Sequence, residues 1–215
     1  MNDKTPWPRE SQKLSKNDVG DDHWWCIGWL RPPTWDDFRW RLYIDGYKRA
    51  GDMIVKCIED TSSVMSSKDA DYAACPVAFL YWQCIELLLK LVIRTGKELL
   101  GEEGDFKYHH NITDLWNSCK TILEEVWPNG PREDLNRIEK LIGELSRHGY
   151  DSSAHRFPED TKGNCSLPDL EYIDLKGLSN LVDEIFSFLR QVNDAISANL
   201  EAKREMDQYY RGEYY

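Results

Sequence analysis

Twenty consecutive residues, CPVAFLYWQCIELLLKLVIR at 75–94, constrain this chain more than any other stretch. Sixteen of them are apolar, proline or alanine, and the four exceptions are Gln83, Glu86, Lys90 and Arg94. Wound into a helix, those four fall on one stripe about 80° wide. The rest of the helix surface is suited to burial, so other elements must pack around it.

The stretch is about long enough to cross a bilayer. Its charges argue otherwise, because Glu86 and Lys90 would sit near the hydrocarbon centre at a cost of at least ~2.5 kcal/mol each. No second apolar run of that length accompanies it. The opening MNDKTPWPRESQKLSKNDVGDD is polar, mixed in charge and without an apolar signal core. The expectation is a soluble, cytoplasmic chain with no membrane partner.

The formal net charge of −11 argues against nonspecific duplex binding through the whole surface, while leaving room for a local basic site. The six cysteines, at 26, 57, 75, 84, 119 and 165, show no CxxC pair and no zinc-like spacing. On one helix Cys75 and Cys84 would lie ~13 Å apart, too far to bridge. They read as reduced, mostly core thiols. No metal or other cofactor is expected, and the phosphate-binding and nucleophile-elbow glycine motifs are absent.

Along the chain, 1–22 reads as a disordered polar tail and 23–35, HWWCIGWLRPPTW, as a tryptophan-rich segment broken by Pro32-Pro33. A first helix is expected over about 36–60, with Trp40, Tyr43, Tyr47, Ile54 and Ile58 forming an aromatic face. The stretch SSVMSSKDADYAA then links to the long apolar helix, with Pro76 in its first turn and an end near Gly96 or Gly101. A third helix over about 112–127, capped by Asn111 or Thr113, carries Leu115, Trp116, Cys119, Ile122, Leu123 and Val126. Pro128-Asn129-Gly130-Pro131 is a strong break before a fourth helix over about 132–147. Residues 150–168 are rich in turn formers and read as an irregular insertion or small hairpin. The last helix is expected from near Asp169 or Asp174 to about 206, followed by a tyrosine-rich tail at 207–215. The sum is an all-α bundle of about five helices, with one helical domain over 36–206.

Four pieces in this order resemble the HEPN superfamily, the all-helical domains of prokaryotic defence and toxin systems and of RNA-processing proteins. FLYWQCIELLLKLVI (79–93) is a long helix with the Glu-x-x-x-Lys pair Glu86 and Lys90. HNITDLW (110–116) resembles the family's His-Asp/Asn-Leu helix start. AHRFPEDTKGN (154–164) is similar to an Arg-Tyr-Pro segment of uncharacterised bacterial members, and IDLKGLSNLVDEIFSFL (173–189) to their last helix. The resemblance covers roughly 36–200 and implies a HEPN-like bundle that forms a homodimer.

Many HEPN members are metal-independent endoribonucleases in which an Arg and a His act together near a dimer interface. The pair suits the chemistry: a near-neutral imidazole takes the 2′-hydroxyl proton while a guanidinium stabilises phosphorane charge. Here the corresponding residues would be Arg147 or Arg156 with His155. Seven residues separate Arg147 from His155, beyond the family's usual spacing, and Gly149 with its neighbouring turn formers interrupts any continuous helix between them. The departure shifts the expectation to a non-catalytic binding and dimerisation module, with an endoribonuclease as the alternative. In the bland reading Arg147 complements a helix C-terminus and His155 and Arg156 shape a loop.

The polar stripe also reads two ways. Lys90 and Arg94 would contact the phosphate of an RNA or nucleotide, placed by Glu86 and His110. Alternatively, Glu86 and Lys90 form an i, i+4 pair at a bundle edge or dimer seam, where a buried polar pair can fix register. Trp24, Trp25 and Trp29 suit stacking on unpaired bases, docking of a larger protein partner, or packing on their own domain.

Overall fold

The computed structural model describes residues 36–61, 67–102, 110–147 and 155–212. These build an all-α bundle of five helices: α1 (Asp36–Thr61), α2 (Ser67–Leu100), α3 (Ile112–Val126), α4 (Arg132–Arg147) and α5 (Leu175–Gly212). No strand occurs among the described residues; an isolated antiparallel bridge joins Glu159 and Cys165.

The apolar run is the centre of the bundle. α2 packs against α1, α3 and α5, while α4 lies on α3 and α5. Tyr81, Trp82, Ile85, Leu88, Leu89 and Val92 are fully buried along it. It is the one helix among the described residues long and apolar enough to cross a membrane, and 72% of that apolar window is buried inside the bundle.

α2 begins earlier than its sequence announces. Ser67–Ala74 are helical rather than a linker, and Pro76 stands inside the helix instead of in its first turn. A proline there removes the amide that would bond the Tyr72 carbonyl. Tyr72 and Pro76 are both exposed, so water can serve that carbonyl. The helix closes at Gly101, whose φ of 75° is a left-handed turn that favours glycine. There the Gly101 amide donates to the Glu98 carbonyl at 3.1 Å and Glu102 to Lys97 at 2.9 Å.

The expected face of α1 packs against the core, beside a more deeply buried line. Its buried line is Ile44, Lys48, Gly51 and Val55, whereas Tyr43 is half exposed and Trp40, Tyr47, Ile54 and Ile58 are only partly buried. Gly51 lies on that deeper line. A Cβ on Gly51 would lie 2.6 Å from the Tyr81 ring, so the helices meet where the side chain is missing. Gly96 plays the same part against Ile122 on α3.

Asn111 caps α3, its side chain accepting from the Thr113 and Asp114 amides at 2.9 and 3.1 Å. α4 has the expected bounds, with Ile138, Ile142 and Leu145 inward. The insertion between α4 and α5 extends to Asp174, which caps α5 by accepting from Gly177 N at 2.9 Å. Within it Asp160 accepts from the Lys162 and Asn164 amides at 2.7 and 2.9 Å. The Asn164 side chain and backbone hold the Asp160 carboxyl below its usual range. At its far end α5 carries on past 206 to Gly212, so Tyr209 and Tyr210 are helical residues.

Candidate functional site

The polar stripe of α2 is drawn into the bundle. Glu86 is 2% and Lys90 6% exposed, and the Lys90 ammonium donates to Glu86 Oε1 at 2.7 Å. The same oxygen lies 2.8 Å from His110 Nδ1. Since a carboxylate only accepts, Nδ1 must carry the hydrogen of that bond. His110 precedes the Asn111 cap, so the start of α3 positions it, and its side chain is 65% exposed. Glu86 Oε2 is buried with no hydrogen-bond partner among the described residues. Arg94, one turn further along α2, is half-buried. Of the four candidate binding residues singled out in sequence, Glu86, Lys90 and His110 thus meet: an anchored carboxylate, a buried ammonium and an imidazole at the surface.

The residues considered for RNA cleavage have other neighbours. Arg147 is exposed at the end of α4 and pairs with Glu144 at 2.5 Å. Arg156 is exposed, with its guanidinium carbon 5.1 Å from the Phe157 ring centre. His155 is 7% exposed and packs on the Trp82 indole, with ring centres 5.8 Å apart. It also borders a cavity of about 290 Å³ shared with Cys75, Ala78, Leu170 and Leu175. Trp24, Trp25 and Trp29 lie outside the described residues.

A second polar cluster was not singled out in sequence. Lys48 of α1, 6% exposed, donates to both Asp52 oxygens at 2.6 and 2.7 Å and pairs with Asp183 of α5 at 2.5 Å. The Tyr81 hydroxyl of α2 donates to Asp52 Oδ1 at 2.8 Å and lies 3.0 Å from Ser179 Oγ. Burial pulls the Lys48 ammonium downward, but Asp183 and Asp52 outweigh it and the net shift is upward. Burial pushes the Tyr81 phenol well above its ordinary range. Each polar group has a partner, which makes the cluster a cross-brace between three helices. The available signal was the inward line 44, 48, 51, 55, in which a lysine occupies a core position.

The described thiols divide. Cys84 and Cys119 are buried, whereas Cys57, Cys75 and Cys165 are exposed, so the chain is less core-weighted in its cysteines than expected. Burial pushes both Cys84 and Cys119 up to about 12. No group of three or more metal-ligating side chains occurs among the described residues.

Comparison with known protein families, curated proteins and solved structures finds no match to this chain.

Proposed function

We propose that this chain is a non-catalytic, HEPN-like binding and dimerisation module, tied to prokaryotic defence or RNA biology through its family resemblance. The observation that carries the reading is the setting of His155. Its imidazole is packed on Trp82 and nearly covered, while Arg147 and Arg156 are exposed and engage Glu144 and Phe157. A general base must reach the hydroxyl it deprotonates, and the cavity that His155 borders is lined by neither Arg147 nor Arg156. The Glu86–Lys90–His110 cluster supports binding instead, because it holds an imidazole at the surface on a buried, charged root.

Purified protein incubated with single-stranded RNA in EDTA is expected to leave it intact, and His155→Ala to change nothing. RNA cleavage that survives EDTA and disappears in His155→Ala would overturn the proposal in favour of a metal-independent endoribonuclease.

A further inference from the structure

α5 carries a feature that the five-helix bundle does not use. Phe188, Val192, Ala195, Asn199, Ala202, Met206 and Tyr209 follow one another at alternating spacings of four and three residues. That is the spacing of a coiled-coil seam, with Val192, Asn199 and Met206 in one set of positions and Phe188, Ala195, Ala202 and Tyr209 in the other. The first part of this face is covered by α4: Leu135 shares a groove with Phe188 and Val192, and Arg137 pairs with Glu184 at 2.5 Å. α4 starts only at Arg132, and beyond Val192 the seam is open. Ala195, Asn199, Ala202, Met206 and Tyr209 are all exposed, the last two at 58% and 65%. Beside this face α5 stays anchored by Lys203, which donates to the Leu99 carbonyl at 2.9 Å, and behind it by Arg204, which pairs with Glu98.

At the point where the seam emerges lies an apolar groove of about 550 Å³, lined by Leu123, Val126, Trp127, Leu135, Phe188 and Val192. Seam and groove are continuous, and they call for the same occupant. We propose that α5 pairs antiparallel with α5 of a second copy of this chain, the aromatic end of each helix entering the other's groove. The inference rests on the dimerisation part of the proposed function and names its surface.

The size pattern selects this direction. Antiparallel seams pack one set of positions against the other, which here places Val192 against the partner's Tyr209, Ala195 against the partner's Met206 and Asn199 against the partner's Ala202. Large side chains then face small ones, as close packing requires. Tyr209 reaches the mouth of the groove at Val192, and the two Asn199 amides lie near the two-fold axis, where a polar seam residue fixes register. Beside the seam, Glu205 falls opposite the partner's Ala198, so no like charges meet there. A parallel pair would instead stack Met206 on Met206 and Tyr209 on Tyr209 and leave both grooves empty.

The full chain carrying Met206→Ser and Tyr209→Ser tests this by sedimentation, with circular dichroism as the folding control. Both residues are exposed, so the fold is expected to be kept while the dimer dissociation constant rises by about tenfold or more. The direction is read by oxidative cross-linking. Ala195→Cys with Met206→Cys is expected to form a covalent dimer that the parent chain, under the same oxidant, does not. Met206→Cys alone should not, because antiparallel pairing holds those positions about 16 Å apart along the axis. A dimer unmoved by the double serine variant, or one linked through Met206→Cys alone, overturns this surface and leaves the binding-module reading standing. A parent chain that sediments as a monomer at all concentrations overturns the dimerisation reading itself.

Discussion

Two lysines are buried among the described residues, and they are held in opposite ways. Lys90 is tied to Glu86 on its own helix, and that carboxylate is itself buried, with one oxygen lacking a partner among the described residues. Lys48 is tied to Asp52 and Asp183 on two helices, and both carboxylates are substantially exposed, at 42% and 57%. One ion pair is sunk whole into the core; the other has only its cation sunk, with its anions wet. The difference sets what each costs to disturb. A buried pair that loses one member leaves a charge with no solvent to recover it, whereas wet carboxylates rehydrate.

Lys90→Met should therefore carry the largest penalty, about 3 kcal/mol or more in urea unfolding, because Glu86 keeps its burial and loses its ammonium. Replacing both members, as Glu86→Leu with Lys90→Leu, is expected to recover most of that loss. If the double variant is no better than the single one, the cost lies in packing rather than in the stranded charge. Lys48→Met should cost about 1–2 kcal/mol, its two acids turning to water. Equal penalties at Lys48 and Lys90 would erase the contrast. Tyr81→Phe removes a hydroxyl that joins Asp52 to Ser179, and about 0.5–1 kcal/mol is expected.

At neutral pH the smallest effect should come from the two buried thiols, Cys84 and Cys119. Cys84 lies within the field of Lys48, and Cys119 is on α3, the helix that Asn111 caps. Burial raises both to about 12 from an ordinary 9.0, so unfolding releases their protons first. Their contribution to stability is intact below pH 9 and declines as pH rises from there toward 12. In a thiol-reagent titration of the native chain at neutral pH, Cys57, Cys75 and Cys165 should react while Cys84 and Cys119 wait for unfolding. Rapid labelling of Cys84 in Lys48→Met, with Cys119 still protected, would locate the cross-brace as the local gate on that side.

Where the sequence was legible, the physics was local. The Pro-Asn-Gly-Pro break and the 3.6-residue rhythm of Leu135 to Leu145 define α4, and the Asn111 cap marks the start of α3. Even the stripe cluster could be read, because Glu86 and Lys90 are one turn apart. What escaped depended on distant partners. Lys48 with Asp52 looks like an ordinary surface pair until Asp183 and Tyr81 close around it from α5 and α2. The aromatic face of α1 was legible, since Trp40, Tyr47, Ile54 and Ile58 pack against the core, but the deeper line beside it was not, because Gly51, where the Tyr81 ring comes closest, has no side chain to announce it. The start of α2 was hidden by Pro76, whose lost hydrogen bond matters little at an exposed carbonyl. The spacing of Arg147 and His155 is a sequence fact, whereas the packing of His155 on Trp82 depends on a contact across the fold and could not be read from the chain.

Gly51 and Gly96 lie 45 positions apart, yet both bear on α2. One receives the Tyr81 ring from the helix, and the other receives Ile122 from across it. Together they work as two keyways cut for a single shaft. A helix free to turn about its own axis would present its ammonium and carboxylate at varying angles; this one is indexed at two points along its length. The seating of α2 thus depends on two residues that have no side chains, so a methyl group added at either would press on Tyr81 or Ile122 and force a shift at that contact.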